Sequence, residues 1–253
     1  MNFVTKKEVV KAFKNLGIAS GDLLLVYGLL PQTDEIIGSS QTIIEALFEA
    51  VDYQATIVMP AHSLHQKQPT FFDEAASEEK LQVLKQEMPA FDPHVSPILS
   101  GELAATLILD RNVVRSDHPI ASFIALGQKA KWLMINHQLN SMFGYESPLQ
   151  KLYAQGAKIL CLGADYQTIT ALHLSEYFAG NHSLVTHEAV IMKNGERTLV
   201  QFEDLALDST IYNEIGREYE KSKQVSKTMI GTLECRLLDY QDIVDFSAAI
   251  LSK

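Results

Sequence analysis

Two cysteines in 253 residues are too few to staple a fold. Both Cys161 and Cys235 lie inside apolar strand-like runs, "KILCLG" and "TLECRLL", so they read as reduced core or half-buried thiols. Cationic charge is scarce as well: 21 Lys and Arg face 31 Asp and Glu, for a net charge of −10 at pH 7. That balance argues against nucleic acid as a partner and favours a cationic or neutral one. No apolar run reaches membrane-spanning length, and the N-terminal "MNFVTKKEVVKAF" has no continuous apolar core of a signal peptide. The expectation is a cytoplasmic protein with no membrane partner. Also missing are G-x-G-x-x-G, the P-loop, C-x-x-C, H-E-x-x-H and G-x-S-x-G. Their absence removes the direct signatures of dinucleotide, nucleotide, zinc and serine-hydrolase chemistry.

What is present reads as ordinary globular material, 47% hydrophobic and 21% charged, long enough to bury a sizeable core. Thr5 can cap a helix that runs to Leu16 and stops at Gly17. The run "DLLLVYG" has the near-continuous apolar character of a strand buried on both faces, and "SSQTIIEALFEAV" then "ATIVMP" continue as helix and strand. This βαβ rhythm predicts an α/β fold with a mainly parallel central sheet flanked by helices. From Ala61 to Pro97 the rhythm breaks, with four of the eight prolines and a short acidic helix near 77–88. It resumes with helices at 100–110, 128–136 and 148–155, strands "SFIALG" and "AKILCLG", and a helix over 168–179. Beyond that, "HEAVIMKNGERTLVQF" is a hairpin turning on Asn-Gly. A helix near 210–222, an extended "KTMIGTLECRLLD" and a helix over 240–251 follow, so the C-terminal part carries antiparallel additions. With no repeat and no low-complexity linker, residues 1–253 read as one domain.

Three constellations carry candidate chemistry. In "TITALHLSEY", His173 and Glu176 are three apart and share one helix face just after a strand and a glycine turn. The pair is either a general base with its orienting carboxylate or a solvated surface pair. In "NVVRSDHPIASF", Arg115, Ser116, Asp117 and His118 crowd between apolar runs, where Arg115 and Ser116 offer donors to a phosphate or carbonyl, or simply build a turn. His62, His65 and His94 allow a metal-dependent hydrolase only without any carboxylate or thiol at ligand spacing, so no metal is expected. The acids Asp73, Glu74, Glu78 and Glu79 read as a solvated helix face or as a rim attracting a polycation.

The ordered series "GDLLLVYGLL", "TIVMPAHS", "FDPHVSP", "VVRSDHPIASFIALG", "FGYESPLQKL" and "KILCLGADYQTITALHLSEY" resembles the antibiotic N-acetyltransferase family, best known for the aminoglycoside 3-N-acetyltransferases. The likeness is close from about residue 10 to about residue 180 and looser beyond; R-S-x-H-P, S-P-L and T-x-L-H-x-x-E are its most specific pieces. It implies an acetyl-CoA-dependent transferase with an α/β fold distinct from the GNAT acetyltransferases, acting on a small-molecule amine, with antibiotic resistance as its setting. His173 then falls on the expected base, Glu176 on the family glutamate, and Asp208 on the acid expected to orient the base. The CoA arm is expected along Gly28 and Leu29, past Arg115 and Ser116, and by Thr170. Direct transfer without an acyl-enzyme fits the absence of a nucleophile motif. A homodimer is allowed.

Where the family has His-Ser-Ser after its first strand, this chain has Tyr27, Gly28 and Leu29. Ile169 stands where Asn is common, and Ala206 where a second acid is expected. These departures predict weak modification of common aminoglycosides, and they leave a second reading open: a degenerate relative that binds CoA or a small ligand without turnover.

Overall fold

A computed structural model gives the fold and describes residues 3–30, 36–53, 55–63, 77–180 and 183–253. His65, Asp73 and Glu74 lie outside the described residues. A seven-stranded sheet runs in the order β3-β4-β2-β1-β5-β9-β8. Its strands are β1 (Leu23–Gly28), β2 (Thr56–Pro60), β3 (Val114–Arg115), β4 (Phe123–Gly127), β5 (Lys158–Leu162), β8 (Ser226–Ile230) and β9 (Leu233–Asp239). β1 pairs in parallel with β2 and with β5, Leu24 lying opposite both Ile57 and Lys158. Outside this parallel centre, β4 and β9 pair antiparallel to it. The antiparallel additions expected near the C-terminus are therefore there, and β3–β4 forms another on the opposite edge.

The all-apolar run of β1 follows from cover on both faces. Alternate side chains point oppositely: Leu24 and Val26 join a core with Phe13, Ile43, Leu47 and Leu103, whereas Leu25 and Tyr27 join one with Leu172, Tyr212 and Tyr240. The first core is closed by α1 (Lys6–Leu16), α2 (Ser39–Ala50) and α4 (Glu102–Leu107). The second lies under α5 (Ala130–Met134), α6 (Pro148–Ala154), α7 (Leu174–Ala179), α8 (Tyr212–Ser222) and α9 (Tyr240–Leu251). The same alternation sends Cys161 and Cys235 into opposite cores, and both are buried free thiols.

Local signals account for several boundaries. Thr5 and Glu8 form a reciprocal capping box on α1, and Gly17 ends it in the left-handed conformation. Pro148 follows the Ser147 cap of α6. The hairpin β6 (Leu184–Lys193) and β7 (Glu196–Leu205) turns on Asn194 and Gly195, both at positive φ, as a two-residue hairpin requires. The acidic helix α3 (Glu78–Glu87) buries none of its residues; Lys85 reaches Glu188 on the hairpin at 2.6 Å, and Arg197 Nε donates to Met88 O just past the helix end at 2.9 Å. Glu78 and Glu79 are exposed on it. Among the described residues no helix is long and apolar enough to cross a membrane.

Candidate active site

The parallel strands β1 and β5 end beside one another, and a cleft of about 320 Å³ opens beyond β1 and β2. Gly28, Leu29, Pro60 and His62 form one side, the approach to α4 at Leu99–Gly101 another, and Thr168 and Thr170 a third. Crevices at the carboxyl ends of parallel strands are where α/β sheets bind ligands. Most of the lining is apolar, with no lysine or arginine among the described residues. A Cβ on Gly28 would lie 2.2 Å from Leu103 Cδ1, so glycine is what lets α4 pack against the strand end.

The helix expected over 168–179 begins later. Two 3-10 turns, Tyr166–Thr168 and Thr170–His173, precede α7, which is only six residues long. In a 3-10 turn residues i and i+3 eclipse, so Thr170 on the cleft and His173 lie on one face. His173 occupies the N-cap position of α7, and its environment is set less by a helix dipole than by Glu176. His173 Nδ1 and Glu176 Oε1 are 2.6 Å apart, with the residues 7% and 3% exposed. A surface pair is thereby excluded. The carboxylate accepts, so Nδ1 carries a hydrogen, and in the neutral ring the lone pair is then on Nε2. Two further donors fix Glu176: Tyr212 gives its hydroxyl hydrogen to Oε1 at 2.7 Å, and the Asp208 N–H points to Oε2 at 3.3 Å. Burial raises the Tyr212 phenol further above its usual value, so it stays a donor.

The ring of His173 is also sandwiched. Phe143 stacks on it at 5.4 Å, and Tyr212 meets it edge-on at 5.3 Å. Phe143 is held by its loop: buried Asp204 accepts from Met142 N and from the Tyr177 hydroxyl, each at 2.7 Å. Gly144 lets that loop lie on the Tyr177 ring, where a Cβ would come within 2.1 Å. Tyr212 and Asp204 carry no motif, and Phe143, although it opens "FGYESPLQKL", is not marked there as a site residue.

The other expected site residues have partners of their own. Asp208 does not reach His173 with its carboxyl, which caps Thr210 through N and Oγ1 at 2.9 and 2.6 Å; its backbone serves Glu176 instead. Arg115 and Ser116 do not line the cleft. Arg115 is buried, donating to Ser122 Oγ, Ser96 O, Ala61 O and Ser63 Oγ at 2.6–3.0 Å, and burial lowers its pKa to about 10. Ser116 pairs with His137 Nδ1 at 3.0 Å and accepts from Phe123 N at 2.9 Å. His118 accepts from Ile120 N and Ala121 N and donates to Leu139 O. This segment braces the fold. His94 is exposed whereas His62 is buried, and among the described residues no three His, Cys, Asp or Glu side chains gather as a metal shell.

A family model described as aminoglycoside 3-N-acetyltransferase matches residues 25–252. The chain is 32% identical over 251 residues to aminoglycoside N(3)-acetyltransferase III of Pseudomonas aeruginosa, covering 96% of this chain and 92% of that protein. It is 30% identical over 247 residues to the SPbeta prophage-derived aminoglycoside N(3')-acetyltransferase-like protein YokD of Bacillus subtilis (strain 168), covering 96% and 90%. The crystal structure of YokD is similar at a TM-score of 0.93 and 28% identity, over 99% of this chain and 93% of that one. The structure of AAC-IIIb in binary complex with CoASH is similar at a TM-score of 0.86 and 26% identity, over 99% and 97%.

Proposed function

The chain belongs to the aminoglycoside 3-N-acetyltransferase family, and from that premise we propose that it transfers acetyl from acetyl-CoA directly to an amine of an aminoglycoside-like small molecule, with His173 as the general base. The observation that carries this reading is the 2.6 Å bond from His173 Nδ1 to a Glu176 carboxylate itself fixed by Tyr212. The size and apolar lining of the cleft suit the pantetheine arm, with Gly28, Leu29 and Thr170 along it. Residues 1–253 act as one domain in this reading, supported by a sheet that draws strands from Leu23 through Asp239.

Acetyl-CoA supplies the acetyl group as a thioester. A sugar amine is mostly ammonium at neutral pH, so His173 Nε2 first takes its proton. The freed nitrogen forms the C–N bond as the C–S bond breaks; of the two protons it sheds in all, one passes from His173 Nε2 to the departing sulfur and the other is released to solvent, leaving a neutral amide and a free thiol. Glu176 keeps Nε2 as the basic nitrogen and faces the imidazolium once it forms, an effect of about 10²–10⁴ in rate for such bases. No acyl-enzyme is required. Burial pushes both Cys161 and Cys235 up to about 12, which leaves neither as a thiolate nucleophile.

A net charge of −10 favours a polycationic acceptor. Placing one amine needs fixed carboxylates, however, and Ala206 offers none, while Glu188 is bonded to Lys85 and Gln201. We therefore expect transfer to a small amine, with kcat/KM for gentamicin, tobramycin and apramycin below ~10⁴ M⁻¹s⁻¹. Thiol release from acetyl-CoA across an amine panel tests this; no turnover with any amine, despite bound acetyl-CoA, would leave a binding protein.

A further inference from the structure

Beside the catalytic pair, one row of hydrogen bonds runs across the cleft, and counting hydrogens fixes its direction. The Ser122 carbonyl lies 3.2 Å from His62 Nδ1 and can only accept, so Nδ1 carries the ring hydrogen. Burial keeps the ring neutral by lowering its pKa to about 3, and Nε2 therefore holds a lone pair. Thr170 Oγ1, 3.3 Å from that nitrogen, donates to it. Having given its one hydrogen, Thr170 can only accept from the Tyr27 hydroxyl at 3.0 Å. The Tyr27 oxygen accepts in turn from Ala171 N at 2.8 Å. The rings of Phe123 and Phe143 hold His62 edge-on, at 5.3 and 5.5 Å.

We propose that His62 is a positioning residue for the cofactor arm: by taking the hydroxyl hydrogen of Thr170, it leaves Thr170 Oγ1 as a pure acceptor on the cleft wall, matched to an amide N–H of the pantetheine arm. The inference rests on the reading of this cleft as the acetyl-CoA site. A hydroxyl oxygen has two lone pairs; one takes the Tyr27 hydrogen and the other remains for a ligand. A carbonyl or phosphate oxygen set there would meet it lone pair to lone pair. Thr170 is half-buried and touches the ligand, whereas His62 is buried and acts through it.

Nitrogen-15 NMR of histidine-labelled protein reads the tautomer without any ligand. The Nδ1–H form is expected at His62, and the Nε2–H form would overturn the proposal. Titration calorimetry with acetyl-CoA reads the consequence. His62→Leu should weaken binding about five- to tenfold, the range of one neutral hydrogen bond. His62→Gln, whose side-chain oxygen can accept, should recover most of that loss. Thr170→Val should match His62→Leu, and the double variant should bind no more weakly than Thr170→Val alone, because residues acting through one contact are not additive. Losses that add, or a His62→Leu protein that binds as tightly as the wild type, would overturn it. If His62→Leu does not fold, Thr170→Ser against Thr170→Val decides: serine keeps wild-type affinity and valine loses it, and equal affinity refutes the idea. Wild-type protein that fails to bind acetyl-CoA would defeat the functional reading instead, with the tautomer result standing apart from it.

Discussion

The segments Arg115–Pro119 and Thr170–Glu176 are both short, polar and histidine-bearing, and both bury their histidine, yet the fold uses them in opposite ways. Among the described residues His118 bonds only to backbone, taking two N–H groups and giving one hydrogen to a carbonyl. His173 bonds to a carboxylate and shares a face with a cleft-lining threonine. Arg115 reaches four oxygens inside the protein, whereas Thr170 faces a space that a ligand can fill. A dense polar motif thus marks chemistry only when some hydrogen-bonding capacity remains on the open side. Where the side chains bond within the chain, as those of Arg115, Ser116 and His118 do, the motif is a brace.

Substitution at the two histidines should give the sharpest contrast. His173→Gln should lower kcat by about 10²–10⁴ with little change in melting temperature, since the glutamine amide still donates to Glu176. His118→Gln should leave kcat per folded molecule near that of the wild type. Steady-state kinetics beside thermal unfolding checks both, and a fully active His173→Gln protein would erase the distinction.

Arg115→Met comes next. Removing the guanidinium strands several buried oxygens, at roughly 1–3 kcal/mol for each unsatisfied group that water cannot reach. Urea unfolding should show the loss, with KM for acetyl-CoA unchanged in the folded fraction. A stable variant with raised KM would return Arg115 to the cofactor.

Tyr212→Phe should cost less, about tenfold in kcat for one positioning hydrogen bond, with KM for both substrates unmoved. An equal rise in KM would mean that Tyr212 meets the substrate directly.

The smallest effect concerns acid. Burial lowers the pKa of His118 from 6.5 to about 4, so the unfolded chain binds more protons between those values. Stability therefore falls as pH drops below 6.5, by up to about 1.4 kcal/mol per pH unit from this residue, and is unaffected by it above. Unfolding free energies at pH 7 and pH 5 should show a shallower drop for His118→Gln than for the wild type.

Much of the fold could be read from local pattern. The Thr5 cap, the Asn194-Gly195 turn and the final helix over 240–251 depend on neighbours a few residues away. The His173 and Glu176 pairing was legible for the same reason, being three residues apart. What escaped notice depends on distant chain: Arg115 meets Ala61 and Ser63 more than fifty positions earlier, and Tyr212 meets Glu176 across 36. The 3-10 turns escaped too, because "TITALH" carries the same apolar spacing as an α-helix, and the hydrogen bond that takes the Ala171 N–H goes to the Tyr27 hydroxyl, 144 positions away.

The close approach of Leu103 to Gly28 ties the cleft wall to the core. A serine at position 28, as the family pattern has it, would drive its Cβ into the Leu103 side chain. Leucine 103 is itself buried in the core beneath α4, where shortening it to alanine costs about 2–5 kcal/mol. Each change has its own cost: the serine forces the Leu103 side chain to shift, and the smaller core residue leaves a hole. The two positions are coupled: a side chain at position 28 requires Leu103 to move or shrink, so the width of the cleft at this strand end is set by the core under α4 as much as by the turn itself.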